Sequence, residues 1–378
     1  MEAGSIIRIA MTTAGIAVML CSFWFLSVKK MTADFAVIWE ILGVLLLMIG
    51  AVPGLSGWTL NLFARGEQLV ICIGAAGVFF CYLFSLLISR LSMKNHGLAI
   101  EVSMLLQEQS VEREEQDQQE NIRQEAAERP RKELLIILPV KNEEKNIGKV
   151  LEQLCRTDII KTADILCIND ASTDASGEII DQYPCAQIRN VFGLGYGSAL
   201  QLGYKYAVRK KYQYVIQMDA DGQHDVCNIP IIYSKLRAAD TNGECSDIVL
   251  ASRFMEGSSE FPVSAVKKFA FWLFRSMIYM ITGRVIADPT TGLQGLGRDA
   301  FAYYSGYNNF DYRYPDANMV LQMLLLKFRV AEVPAVMHRR TSGKSMHSGI
   351  EPACYMVRMF LSVLAVVVRV KILKNRIG

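Results

Sequence analysis

Residues 215–225 read Val-Ile-Gln-Met-Asp-Ala-Asp-Gly-Gln-His-Asp. Residues that fit a buried strand run directly into three carboxylates, an amide and an imidazole. On an extended segment the side chains at i and i+2 share a face, so Asp219 and Asp221 are expected to converge, with Gln223 continuing the alternation. Oxygen-only ligands of this kind suit Mg²⁺ or Mn²⁺ rather than zinc. The bland alternative, a turn in which an aspartate merely caps a helix, stays open on this motif alone.

The same pattern recurs around it. Leu134–Pro139, Asp164–Asn169, Gln213–Met218 and Asp247–Ala251 are short, mostly apolar stretches separated by helical ones such as Ile147–Cys155 and Ser198–Lys210. Such alternation predicts an α/β fold with a mostly parallel, Rossmann-like sheet covered by helices. Ligands in these sheets gather at the carboxyl ends of strands. Those ends read PVKNEE, NDASTD, MDADGQHD and ASRF, all polar and chemically capable. Asp170 there is placed to accept hydrogen bonds from a base or ribose. Asp170–Asp181 is no calcium loop, since position six is Ala175 and position twelve is Asp181. Gly193-Leu-Gly-Tyr-Gly197 is not the dinucleotide fingerprint. It is read as letting a helix N-terminus approach a nucleotide, with a plain turn as the alternative. Arg253 follows another strand, where a guanidinium pairs well with phosphate. The basic stretch from His338 to Lys344 is suited to closing over an anion. His224 and His347 are expected to be hydrogen-bonding partners, because neither has a second imidazole at ligand spacing.

The chain has 378 residues, room for two or three domains, and a formal net charge of +3. That charge, with no basic run interleaved with aromatics, argues against nucleic-acid binding. Nine cysteines, without a CxxC pair, argue against a disulfide framework or a zinc site. Residues 9–28 and 69–89 contain no charged side chain, and 35–52 contain only Glu40. Each approaches the ~20 residues that cross a bilayer as a helix. Lys29, Lys30, Arg90 and Lys94 outnumber Arg8 and Arg65, which predicts an outside N-terminus and a cytoplasmic chain after residue 90. Glu40 lies near a span's cytoplasmic end, within reach of headgroups or Lys30. Residues 93–132 are expected to leave the membrane as a helix and become a charged, solvated linker, ended by Pro130.

Taken together and in order, LPVKNEE, NDASTD, NVFGLGYGSALQLGYKYA, MDADGQHD, ASRF, DPTTGLQGLGRDAF and EVPAVMHRRTSGKS resemble family 2 glycosyltransferases. The likeness is to the branch that includes dolichol-phosphate mannosyltransferase and bacterial polyprenyl-phosphate glycosyltransferases. It implies a GT-A fold, a nucleotide-sugar donor, a polyprenyl-phosphate acceptor and a divalent metal. By matching motif, Pro139, Glu143, Asp170 and Asp219 would hold the nucleotide, and Asp219, Asp221 and Gln223 the metal. Arg253, Arg340 and Lys344 would meet phosphates, and Asp221, Asp288 and Arg253 would form the catalytic set. Where many relatives place an arginine this chain has Gln294, with Arg298 nearby. KKMTADFAVIWEILGVLLLMIGAVPG is similar to small three-span proteins that accompany such enzymes in bacterial polysaccharide pathways.

The expected organisation is therefore a three-span domain at 1–92, a linker at 93–132, a catalytic domain at 133–350 and a C-terminal interfacial helix at 351–378. The apolar stretch 261–283, with Lys267, Lys268 and Arg275, is also expected to lie in the membrane interface. UDP-linked glucose or N-acetylglucosamine fits the resemblance best, GDP-mannose and a homo-oligomer stay open, and the location expected is the bacterial cytoplasmic membrane. A processive synthase is disfavoured because none of the four tryptophans follows an arginine. A non-catalytic nucleotide-binding scaffold is the other alternative, disfavoured by the intact Asp219, Asp221 and Arg253.

Overall fold

Leu134–Val140 (β1) is buried at every position except the half-buried Pro139, as expected of a strand with helices on both faces. It pairs in parallel with Ala163–Asn169 (β2) and Tyr214–Gln217 (β4), and β2 pairs in parallel with Ala186–Arg189 (β3). The full sheet has the order β3-β2-β1-β4-β6-β5-β7, with β5 at Ile248–Ser252, β6 at Gln294–Gly297 and β7 at Val330–Pro334. Strand β6 is antiparallel to both neighbours, and β7 runs parallel to β5. The structure, a computed structural model, describes residues 3–52, 68–117, 132–239, 243–258, 265–338 and 351–373.

Two units separate, Met1–Asn95 with Gly349–Gly378, and His96–Ser348. In the second, Ile136, Leu138, Ile147, Val150, Leu151 and Leu154 join Ile216 and Ile229 in one buried core. The opposite face of the sheet receives the helix Tyr196–Arg209. Its Gly203 lies so close to the sheet that a Cβ there would meet Ile137 Cγ2 at 2.7 Å. The four strands expected from the sequence are β1, β2, β4 and β5. The short β3, β6 and β7 have too little apolar periodicity to stand out.

Among the described residues three helices are long and apolar enough to cross a membrane, over Ser5–Ser27, Ala33–Ala51 and Cys72–Gln107. The first two approach through small residues. A Cβ on Gly15 would meet the Gly43 carbonyl at 2.7 Å, and one on Gly50 would meet Thr12 Oγ1 at 2.3 Å. Polar side chains there are paired between helices: Ser22 donates to Glu40 at 2.7 Å, and Trp39 Nε1 donates to Ser85 at 3.1 Å. Glu40 thus meets a neighbouring helix rather than Lys30.

Two elements differ from the sequence reading. The helix Glu351–Val367, expected to lie on the membrane surface, packs within the first unit. Met359, Val363, Ala365 and Val366 are buried, and Arg358 pairs with Asp34 at 2.7 Å. Its apolar side finds protein partners, so it needs no lipid there. The expected linker is likewise not solvated throughout, because the helix Gln68–Asp117 continues into the second unit from His96. There Ala99, Ile100 and Met104 are buried, Glu101 pairs with Lys205 and Arg209, and His96 stacks on Tyr312 at 4.6 Å. Replacing Ile100 by alanine is expected to cost about 2–5 kcal/mol. The check is a lowered thermal midpoint with faster hydrogen exchange in the helix Tyr196–Arg209. An unchanged midpoint would show that this helix does not belong to the catalytic core.

Candidate active site

The carboxyl ends of β1, β2, β4 and β5 lie along one edge of the sheet. Because β6 runs the other way, the loop entering it, 288–293, arrives at that same edge. Most of the candidate residues meet there.

The first two loops are laced together. Asn142, in a left-handed conformation at φ 56°, accepts from Thr173 N at 2.8 Å, and Ser176 Oγ accepts from Glu143 N at 2.8 Å. The Glu143 carboxylate accepts from Asn146 Nδ2 at 2.6 Å. Asp170 is buried, and its oxygens accept from Leu194 N at 2.6 Å, Gly195 N at 2.9 Å and Asn190 Nδ2 at 3.0 Å. The Lys141 ammonium lies 3.6 Å away. Asp170 therefore anchors the glycine loop that opens the helix Tyr196–Arg209, in addition to any part it has in holding a nucleoside.

The expected extension of the 219–223 segment is not what forms. Strand β4 stops at Gln217, and the chain turns at Ala220–Gly222, with Gly222 at φ 76°. Asp219 Oδ1 accepts from the Tyr196 hydroxyl at 2.9 Å, and its Oδ2 lies 3.2 Å from His224 Nε2. Asp221 Oδ1 accepts from Gln223 N at 3.0 Å, closing the turn. Histidine 224 is thus a hydrogen-bonding partner, as expected. Among the described residues no group of three or more His, Cys, Asp or Glu side chains is arranged to hold a metal. The remaining donor set, two carboxylates and an amide, still fits a hard divalent cation. Both aspartates are partly exposed, and Tyr196 orients one of them. Across from them a Cβ on Gly292 would meet Asp219 Oδ2 at 2.6 Å, so a side chain there would have to push the carboxylate aside.

Asp288 is fully buried and grips Arg253. Arg253 Nε donates to Oδ2 at 2.6 Å, Nη2 to Oδ1 at 2.7 Å, and its backbone N–H to Oδ2 at 3.0 Å. Thr290 adds its hydroxyl at 2.9 Å from Nη2. Asp288, expected as a catalytic group that orients or deprotonates an acceptor, is engaged by Arg253 in this geometry. It has no exposed surface, and both its oxygens hold the one guanidinium in place. Arg298 also falls away from the role its proximity suggested. It follows Gly297, which pairs with Tyr214 at the amino end of β4, so it lies at the opposite edge of the sheet. Arg340, Lys344 and His347 lie outside the described residues.

Sequence reasoning missed Tyr196, Lys141, Thr290 and Glu332. Each stands inside a stretch quoted above, but nothing in its spacing marked it. Glu332, on β7, accepts from Ala287 N at 2.7 Å and Asp288 N at 2.8 Å.

Residues 135–304 match the family model described as Glycosyl transferase family 2. These residues are a family 2 glycosyltransferase domain. The Undecaprenyl-phosphate mannosyltransferase of Micrococcus luteus is 25% identical over 224 residues, 57% of this chain and 88% of that protein. The Polyprenol monophosphomannose synthase of Mycolicibacterium smegmatis is 25% identical over 238 residues, 58% of this chain and 83% of that one. Across relatives the matched share of their own length ranges from 49% to 88%. Among solved structures, glucosyl-3-phosphoglycerate synthase from Mycobacterium tuberculosis, in complex with Mn²⁺, UDP and glucosyl-3-phosphoglycerate, is similar at a TM-score of 0.43. It is 16% identical, with 65% of this chain and 82% of that one covered. The glycosyltransferase domain has the expected GT-A-like architecture, a mostly parallel sheet with one antiparallel strand inserted.

Burial pushes the Glu332 carboxyl above its ordinary value, against the two backbone N–H groups that draw it down. A carboxyl raised in the folded state contributes stability that is fully present below its unfolded pKa and is lost as pH rises through the folded one. Glu332→Gln keeps an acceptor oxygen but cannot ionise. As pH rises above the ordinary carboxyl range, the stability of the native protein relative to this variant is expected to fall, as thermal midpoints across pH will show.

Proposed function

We propose that this protein transfers a sugar from a nucleotide-sugar donor to polyprenyl phosphate, forming a lipid-linked sugar with inversion at the anomeric carbon. The observation that carries the reading is the meeting of Asp219, Asp221 and the Asp288-clamped Arg253 at one sheet edge. The loop into β6 joins them, since Asp288 and Thr290 hold Arg253 while Gly292 lies against Asp219. Carboxylates suited to a divalent ion beside a fixed guanidinium suit a diphosphate leaving group. The names of the Micrococcus and Mycolicibacterium relatives supply the acceptor class, and the three apolar helices are consistent with an acceptor drawn from a membrane.

Asp219, Asp221 and Gln223 would hold Mg²⁺ or Mn²⁺, which when bound stabilises negative charge on the departing diphosphate. Pro139, Glu143 and Asp170 frame the nucleoside pocket between β1 and β2, with Asp170 fixing the glycine loop against it. Arg253, immobilised by Asp288 and Thr290, presents a fixed positive charge and loses little freedom on meeting phosphate. Arg340 and Lys344 are proposed as further phosphate contacts. A phosphate monoester has its second pKa near ~6, so at neutral pH the acceptor is largely a dianion. Such a nucleophile needs no strong base, which agrees with Asp288 being taken up by Arg253.

The donor proposed is UDP-glucose or UDP-N-acetylglucosamine. The relatives named for mannose make a mannose donor the comparison to run beside it. The location proposed is the bacterial cytoplasmic membrane, with the catalytic domain cytoplasmic. Membranes containing the protein, supplied with undecaprenyl phosphate and a panel of labelled nucleotide sugars, are expected to yield an organic-extractable product labile to mild acid. Asp221→Asn is expected to lower turnover by about 10²–10³-fold. It should also weaken Mn²⁺ binding measured by calorimetry. Near-normal turnover in that variant would remove the metal from the reading, and the absence of lipid product with every donor would remove the acceptor.

A further inference from the structure

The second unit begins at His96, within the helix Gln68–Asp117 and ahead of the residues 135–304 that match the family model. The stretch Cys72–Gln107 has 36 residues, about 54 Å of helix, which outruns a ~30 Å hydrocarbon core. Its last turns find protein partners. Ala99, Ile100, Ser103 and Met104 are buried, and Glu101 pairs with Lys205 and, at 3.1 Å, with Arg209. His96, at the start of this segment, meets the other end of the same partner helix. Its ring stacks on Tyr312, with centroids 4.6 Å apart and planes inclined at 29°. Its Nδ1 lies 3.5 Å from the Oγ of the fully buried Ser198. Residues that precede the catalytic match therefore brace the helix Tyr196–Arg209 at both ends.

The end that His96 meets is the one that carries the proposed nucleotide pocket. Tyr312 belongs to a loop lying against the start of that helix, and its carbonyl accepts from Ser198 N at 3.2 Å. A Cβ on Gly197 would collide with the Asp311 carbonyl oxygen and lie 2.6 Å from the Tyr312 carbonyl carbon, so the two backbones touch. Asp311 is pinned in turn, accepting from Arg313 N at 3.0 Å and from Nδ2 of the buried Asn318 at 2.9 Å. The helix starts at Gly195, which offers no side-chain cap, so its first turn is held from outside. From the same turn Leu194 N and Gly195 N donate to Asp170, and the Tyr196 hydroxyl donates to Asp219. One turn of helix thus links the His96–Tyr312 stack to both carboxylates.

We infer that His96 is a positioning residue for the nucleotide-sugar site, fixing through Tyr312 and Ser198 the helix turn that presents Asp170 and Asp219 to the donor's nucleoside diphosphate. The inference rests on the nucleotide-sugar reading above and on no property of the acceptor. An aromatic pair of this kind corresponds to roughly 2- to 10-fold in an equilibrium constant. Without the stack, the Tyr312 loop and the helix turn can part, and the donor binds only the molecules in which the turn is in place. Its apparent affinity falls by that fraction. A residue that only adds stability would lower the thermal midpoint and leave the affinity of the folded protein unchanged.

The test uses the full-length protein in detergent or nanodiscs, with UDP and GDP, each beside Mn²⁺, as probes. His96→Ala is expected to weaken binding of whichever nucleotide the native protein takes by roughly 2- to 10-fold in calorimetry. The nucleotide-sugar KM should rise by the same factor while the KM for undecaprenyl phosphate holds. His96→Phe, which keeps a ring against Tyr312, should restore native affinity. Ile100→Ala, which loosens the same segment away from the site, should lower the thermal midpoint yet bind nucleotide as the native protein does. If His96→Ala does not fold, Tyr312→Leu breaks the stack from the other side and is expected to give the same loss. Four outcomes overturn the inference alone: native affinity without the stack, a loss that His96→Phe does not repair, an equal loss in Ile100→Ala, or a rise confined to the undecaprenyl phosphate KM. Native protein that binds neither nucleotide overturns the donor reading, and the inference falls with it.

Discussion

The constraint on which the site depends is the antiparallel pairing of a four-residue strand. Strand β6 lies between β4 and β5, with Gln294 opposite Gln217 and Gly297 opposite Tyr214. Had it joined in parallel, the segment 288–293 would enter at the far edge and Asp288 would never meet Arg253. The reversed direction places Gly292 beside Asp219 and Thr290 beside Arg253 in one stroke. It also carries Arg298 away, although that residue is only ten positions from Asp288 in the chain.

The site is built mostly from groups that hold other groups. Asp170 holds the glycine loop, Tyr196 and His224 hold Asp219, and Asp288 with Thr290 holds Arg253. A buried ion pair such as Arg253–Asp288 adds little net stability, because desolvating both charges offsets most of their attraction. What it provides is orientation, and removing either partner leaves the other charge buried and uncompensated. Electrostatic stabilisation of developing charge works only where the charges need not reorganise, so this rigidity serves the chemistry.

The membrane unit uses a different physics. Without water there is no hydrophobic drive to bring apolar helices together, so close approach at Gly15, Gly43 and Gly50 and bonds such as Ser22–Glu40 supply the attraction. The C-terminal helix joins through the same means, with the Arg358–Asp34 pair and a bond from Arg369 Nε to the Ser27 carbonyl at 3.0 Å. Its sequence reads as amphipathic, and amphipathicity alone does not say whether the apolar face meets lipid or protein.

Much could be read directly from the residues. Apolar runs of strand length ending in DAD, NDASTD and ASRF require a sheet with a polar edge, since buried backbone must pair and charged side chains must leave the core. Uncharged runs of about twenty residues are long and apolar enough to cross a bilayer as helices, since a helix satisfies its backbone groups without water. Those are local consequences of composition and period. The direction of β6, the clamp on Arg253 and the turn that breaks the 219–223 alternation are not local. They depend on which distant segments the sheet brings side by side, and a short strand's direction is decided by its neighbours' hydrogen bonds rather than by its own side chains.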